Sequence, residues 1–252
     1  MSFDVSADAY SRFMGRYSEP LAARFVDVLG VREGDRVLDV GCGPGALTWQ
    51  LVQRSGVPAV AAVDPSESFV DAVRARIPGL DVHRAAAEQL PFDDDRFDCA
   101  AAQLVVHFMA DPVAGLAEMA RVTRSGGLVG ACVWDHGGGT GPLTLFWEAA
   151  RALDPDAPGE SGLAGAREGH LAELFEQAGL RDVESSLLTV RSGFGGFDEW
   201  WEPLTLGVGP AGKYVARLDA QQRAALAAQC AELLPQGPFE IAASAWTALG
   251  RV

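Results

Sequence analysis

From residue 36 onward, short apolar runs alternate with stretches of helical periodicity. Arg36–Val40 (RVLDV) has the pattern of a buried strand. A glycine loop follows, then a helix-like stretch over Ala46–Arg54. Ala59–Val63 is a second apolar run, ending at Asp64. Ser66–Ile77 reads as a helix: Ser66 can cap it, Phe69, Val70, Val73 and Ile77 share one face, and Pro78 stops it. Asp81–Arg84 and Phe97–Leu104 are further strands, the first of them weak. Asp111-Pro112 supplies a capping carboxylate and a first-turn proline to a helix continued by Val113, Leu116, Met119, Ala120 and Val122. Gly126-Gly127 is expected to close that helix before a strand over Leu128–Trp134.

Two segments break the rhythm. Residues 136–168 contain Gly137-Gly138-Gly139, Gly141-Pro142 and a Pro/Gly-rich stretch, Asp154–Ala166, with a helical Leu143–Leu153 between them. Residues 193–218 are rich in glycine and aromatics, among them Phe194, Phe197, Trp200 and Trp201. Both read as insertions that cover a site. The alternation resumes in Glu168–Ala178 (helix) and Val183–Val190 (strand), and ends with a helix Ala220–Leu234 and a strand-like Phe239–Gly250.

This order predicts an α/β fold: a doubly wound, mostly parallel, Rossmann-like seven-stranded sheet with helices on both faces and a small cap built from the insertions. Ligands of such sheets bind beyond the carboxyl ends of the strands, so the loops after Val40, Val63, Leu104 and Trp134 are where chemistry is expected. For 26.6 kDa, surface scaling gives roughly 10,700 Å² exposed when folded, enough burial for one full core.

Charge narrows the partners. The net charge is −14 and Lys213 is the sole lysine. A nucleic-acid or anionic-membrane partner, which needs a basic stripe, is disfavoured. No apolar run reaches the roughly 18 residues of a membrane span, and Met1-Ser2-Phe3-Asp4 does not open a secretory signal. Cys42, Cys99, Cys132 and Cys230 have no metal-finger spacing and read as free thiols suited to a reducing cytoplasm. A cytoplasmic protein with no metal is expected; monomer and homodimer stay open.

The chemistry concentrates in Asp39-Val40-Gly41-Cys42-Gly43-Pro44-Gly45, set between a strand and a helix. Glycines there let a ligand approach the backbone. Asp64, ending the next strand, stands where a carboxylate accepts ribose hydroxyls. Gly41-x-Gly43-x-x-Ala46 also satisfies the dinucleotide fingerprint. Electrostatics separates the two readings. A pyrophosphate about 6 Å from Asp39 would cost about 2–3 kcal/mol per like-charge contact at an effective dielectric near 20. Asp39, Asp64 and Glu88 together favour a cationic ligand.

The segment Val37–Gly45 resembles the first motif of class I S-adenosylmethionine-dependent methyltransferases. The likeness continues through Ala87-Glu88-Gln89-Leu90-Pro91-Phe92, Phe97-Asp98, and Ala120-Arg121-Val122 with Gly126-Gly127. It is similar to the small-molecule branch that includes the quinone-biosynthesis enzymes, over roughly residues 10–135. The resemblance implies that Asp39 meets the methionine ammonium, that Gly41, Cys42 and Gly43 line its backbone, and that Asp64 holds the ribose with Pro65 beside the adenine. Ala87 and Glu88 would flank the adenine, and the backbone near Ala102 and Gln103 would meet the methionyl portion. The family often has Asp-Ala-Glu where this chain has Ala86-Ala87-Glu88, so Glu88 or a backbone group takes over the adenine contact. Tyr10–Tyr17 resembles the segment that folds over the cofactor within an N-terminal helical cap (residues 1–30). Tyr10 can cover the methionine part, and Arg16 either meets its carboxylate or is solvated on an amphipathic helix.

The resemblance thus implies one methyltransferase domain over 1–252, binding S-adenosylmethionine and methylating a small-molecule acceptor at O, N or C. A base is needed only where the acceptor must lose a proton. His107, Asp135 and His136 are the candidates, His107 first because its loop abuts the methyl end in this fold. Trp134, Phe146, Trp147, Trp200 and Trp201 can line an apolar acceptor pocket. The rivals are a nicotinamide-dependent oxidoreductase and a non-catalytic cofactor-binding protein. A short-chain oxidoreductase needs Tyr-x-x-x-Lys, and Gly209 stands four residues before Lys213.

Overall fold

The computed structural model describes residues 6–252. The reading of Met1-Ser2-Phe3-Asp4, and the first five residues of the expected cap, lie outside them. Helices α1 (Ala7–Tyr10) and α2 (Arg16–Leu29) are joined by a wider turn over Ser11–Gly15. Then follow β1 (Val37–Val40), α3 (Ala46–Ser55), β2 (Val60–Asp64), α4 (Glu67–Arg76), β3 (Asp81–Arg84), β4 (Phe97–Gln103), α5 (Pro112–Val122) and β5 (Thr123–Trp134). The rest is α6 (Thr144–Leu153), α7 (His170–Gln177), β6 (Arg181–Phe194), α8 (Phe197–Trp201), α9 (Gly209–Arg217), α10 (Ala220–Leu233) and β7 (Phe239–Arg251). The seven strands form one sheet in the order β3-β2-β1-β4-β5-β7-β6. Pairing is parallel except along β7, which runs antiparallel to both neighbours. Strand order reverses at β1/β4, so the ends of those strands open a crevice.

Period-two alternation decides which side chain goes to which face. Val37, Ala62, Cys99, Ala101, Cys132 and Trp134 enter the layer under α2, α3 and α4. Leu38, Val40, Ala61, Val63, Ala100 and Ala102 enter the layer under α5 and α7. Asp39 shares the parity of Val37, so the alternation carries a carboxylate into the first, apolar layer, where it is 1% exposed.

The amino-terminal helices are tied to the far end of the sheet. Pro20 has no amide, so the carbonyl of Arg16 lacks its partner four residues on. Ser192 Oγ on β6 fills the gap, donating to Arg16 O at 2.6 Å.

One expectation needs correction. Gly126-Gly127 does not close α5. The helix stops at Val122 and β5 starts at Thr123, but Thr123 pairs with Phe97 and Leu128 with Cys99, so residues 124–127 bulge out of the ladder. Gly126 (φ 72°) turns the bulge and its amide bonds Val252 O. Trp200 and Trp201 both lie in α8. Trp200 is buried and Trp201 stacks on Phe197 with ring centroids 5.9 Å apart.

A Cβ on Gly127 would stand 2.7 Å from Arg124 O and 2.9 Å from Asp98 O, both backbone atoms. Gly127→Ala is therefore expected to lose about 2 kcal/mol in urea unfolding; a midpoint equal to wild type would show that the bulge yields.

Candidate functional site

The loops after β1, β2 and β4 enclose an open cleft of about 940 Å³, solvent at its mouth included. Of the residues expected at the site, Tyr10, Gly41, Gly43, Asp64, Pro65, Ala87, Glu88 and Gln103 line it. Asp39 and Cys42 line a recess of about 300 Å³ that shares Tyr10, Gly41, Gly43 and Gln103 with the cleft.

The turn is held by hydrogen bonds to the neighbouring strand. Gly41 N and Cys42 N both donate to Val63 O, at 2.8 and 2.9 Å. Gly41 has φ 70°, and a Cβ there would fall 2.5 Å from Val105 Cγ2. Position 43 has open space where a Cβ would be, so the backbone itself faces the ligand. Leu104, at the end of β4, holds φ 61° without being glycine. Such backbone strain gathers at sites the surroundings over-determine.

Two carboxylates face this turn. Asp64 accepts Gly43 N on Oδ2 at 2.9 Å and Ser66 N on Oδ1 at 2.8 Å. One amide on each oxygen leaves a lone pair on each, the geometry that takes two neighbouring hydroxyls. Burial pushes the Asp64 carboxyl above its ordinary range, against the pull of those two amides. Asp39 accepts Thr48 Oγ1 at 2.5 Å. Burial, opposed by that bond and reinforced by Asp64, raises it to about 7. No arginine, lysine or histidine pairs with either carboxylate among the described residues. Gln103 donates from Nε2 to Ser18 O at 3.0 Å, while its buried Oε1 has no partner. Glu88 lines the cleft, but its Oε1 accepts the amides of Ala110 and Asp111 at 2.7 and 3.2 Å, so it fixes the wall as well as forming it.

A second cavity of about 380 Å³, solvent at its mouth included, adjoins the first across Tyr10, Leu104 and Phe108. His107, Trp134 and His136 line it, together with Glu160. His107 and His136 stand 6.4 Å apart, ring to ring. Burial lowers His107 to about 3 and His136 to about 4, so both are neutral at physiological pH. His107 Nδ1 and Trp134 Nε1 are buried without partners.

The side chains of three expected residues point elsewhere. Arg16 is outside the cleft: its guanidinium donates to Gly193 O and Glu199 Oε1 and covers the Phe194 ring, because the Pro20–Ser192 link draws this turn to β6. The Ala102 side chain enters the opposite layer by its parity on β4, while Gln103, one residue on, lines the cleft. Asp135 is consumed by structure, accepting Gly138 N, Thr140 Oγ1 and Trp246 Nε1. Of the aromatics proposed for an acceptor pocket, only Trp134 lines the second cavity. Sequence reasoning missed Glu160, which stands in a Pro/Gly-rich stretch with no motif around it.

A methyltransferase domain family matches residues 38–130. An uncharacterized methyltransferase of Mycobacterium tuberculosis is 39% identical over 135 residues, 54% of this chain and 52% of that protein. The chain thus spans about half the length of that curated relative. A demethylmenaquinone methyltransferase of Mycobacterium sp. (strain KMS) is 38% identical over 176 residues, 64% of this chain and 74% of the relative. The chain belongs to the class I S-adenosylmethionine-dependent methyltransferases. Its fold agrees with that of geranyl diphosphate C-methyltransferase from Streptomyces coelicolor, solved with S-adenosyl-L-homocysteine (TM-score 0.56, 15% identity, 94% of this chain and 80% of that one).

Within this methyltransferase fold Asp39 is a destabilising charge. Its carboxyl ionises near the ordinary range when unfolded and about 7 when folded. The folded state then holds the extra proton between roughly pH 4 and 7, so stability falls as pH rises through that window. Asp39→Asn is expected to raise the urea midpoint of the ligand-free protein at pH 8 and to leave it nearly unchanged at pH 4. Equal effects at both pH values would refute a buried, unneutralised charge.

Proposed function

We propose that the protein, placed in the cytoplasm, transfers the methyl group of S-adenosylmethionine to a small-molecule acceptor by in-line displacement. The observation that carries this reading is the pair of buried carboxylates, Asp39 and Asp64, facing a glycine turn with no cation between them. The residues fit the group. The open backbone at Gly43 admits it, Asp64 offers two lone pairs to a ribose diol, Asp39 offers charge to an ammonium, and the orphaned Gln103 Oε1 offers an acceptor beside it.

When bound, S-adenosylmethionine supplies a methyl already activated on a sulfonium, so alignment is most of what remains for the protein. Tyr10, shared by cleft, recess and second cavity, closes the site from the amino-terminal helix. The acceptor side is the second cavity. Residues 136–168 contribute His136, Leu143 and Glu160 to it, and 193–218 contribute Val208, Gly209 and Pro210; these two segments are its cover. His107, neutral and with its Nδ1 unpartnered among the described residues, can orient an acceptor there by a hydrogen bond.

Calorimetry with S-adenosylhomocysteine tests the cofactor reading. Each charge-assisted hydrogen bond is worth about 1.5–3 kcal/mol, so Asp64→Ala is expected to weaken binding thirtyfold or more; unchanged affinity would reject the ribose role. The bound ammonium favours ionised Asp39, so binding must expel a proton below about pH 7. Wild-type affinity is expected to drop by up to tenfold per pH unit below that point, and Asp39→Asn to abolish the dependence. A flat wild-type profile between pH 5 and 8 would contradict it.

A further inference from the structure

Glu160 is a buried acid that no part of the mechanism above uses. It is 5% exposed and lies in the wall of the second cavity. Trp147 Nε1 donates to its Oε2 at 2.7 Å, and among the described residues no donor to Oε1 is found. The indole orients the carboxylate but cannot neutralise it. Among the described residues no lysine or arginine lines this cavity or pairs with Glu160. The other titratable groups lining the space, Tyr10, His107 and His136, are uncharged. Around them stand the rings of Phe13, Phe108 and Trp134.

Such a space is one-sided. Burial raises the Glu160 carboxyl to about 7, so above that pH an anionic acceptor would meet a carboxylate and, among the described residues, no cation. A neutral hydroxyl would fill a hydrogen bond but leave the charge buried and uncompensated, which is the costly state. A cation satisfies the carboxylate, gains from the aromatic faces, and is drawn in by a chain of net charge −14.

Resting on the methyltransferase reading, we propose that the second cavity takes an acceptor with a protonated amine on a small apolar or aromatic body, with Glu160 as its counter-ion and proton acceptor. The ammonium passes one N–H proton to Glu160 Oε1, which becomes a neutral acid. The freed lone pair attacks the methyl carbon; the N–C bond forms as the S–C bond breaks, and its electron pair stays on sulfur. The sulfonium becomes a neutral thioether and the product leaves as a methylammonium ion.

The test titrates the full chain, saturated with S-adenosylhomocysteine, with 2-phenylethylamine, 2-phenylethanol and 3-phenylpropanoate at pH 8 by calorimetry. The amine is expected to bind at least tenfold tighter than the alcohol, and the carboxylate not to bind. Glu160→Gln is expected to bring the amine down to the affinity of the alcohol while S-adenosylhomocysteine affinity stays within twofold. Replacing the product by S-adenosylmethionine should add one methyl to the amine nitrogen, read by mass. An alcohol that binds as well as the amine, an amine that does not bind, or a Gln variant that keeps the preference would each overturn the proposal. The wild-type comparison decides it even where the variant does not fold. Loss of S-adenosylhomocysteine binding itself would instead strike the cofactor reading, and the same titrations separate the two.

Discussion

The structure turns on a carboxylate buried without a counter-charge. Asp39 stands in an apolar layer because its parity on β1 leaves it nowhere else to go, and among the described residues Thr48 from α3 is what donates to it, from hydroxyl and backbone. Hydrogen bonds from one neutral residue do not offset the desolvation of an ion, which is why the group holds its proton to about 7. Evolution rarely leaves such a charge in a core without use. The surrounding turn is rigid to match: two amides bind Val63 O, Val105 fills the space a Gly41 side chain would need, and Leu104 holds a left-handed backbone. Asp64, fixed by Gly43 and Ser66 amides, is thereby locked to the same loop. Cleft and carboxylates are one unit, and a cationic ligand relieves what the fold alone leaves unbalanced.

This also decides between the two ligands compatible with the glycine pattern. A pyrophosphate would bring negative charge to a turn already carrying two uncompensated acids. The glycine spacing is shared by both ligand classes; the acid on β1 and its burial are what separate them.

Much of this was legible along the chain because it depends on local rules. Strand-loop-helix order, Asp111 as a cap for α5 and the glycine turn all follow from spacing. The alternation that buries Asp39 and turns Gln103 to the cleft also sends the Ala102 side chain to the opposite layer. The position of Arg16 was not legible in this way. Its partner Glu199 is 183 residues away, and the hydroxyl that anchors its carbonyl is 176 residues away. The same holds for Glu160: its meaning comes from Trp147, from two uncharged histidines on other loops, and from an empty tally of nearby cations. A bulge in β5 was hidden for a different reason, since Gly126-Gly127 reads equally well as a helix stop.

The two halves of the proposed reaction are encoded differently. The family match covers residues 38–130, and within it lie the glycine turn, both carboxylates of the cleft, Glu88 and Gln103. Beyond its carboxyl end lie Trp134, His136, Leu143, Glu160, Val208 and Pro210 of the second cavity; before its start lie Tyr10 and Phe13. The residues that would touch the donor therefore stand in the shared segment, and most of those that would touch the acceptor stand outside it. Donor chemistry can pass from relative to relative while the acceptor changes, because the two sets of contacts meet only through Tyr10, Leu104 and Phe108. On the proposed reading, the charge at position 160, outside the matched segment, sets the acceptor preference rather than the glycine turn within it.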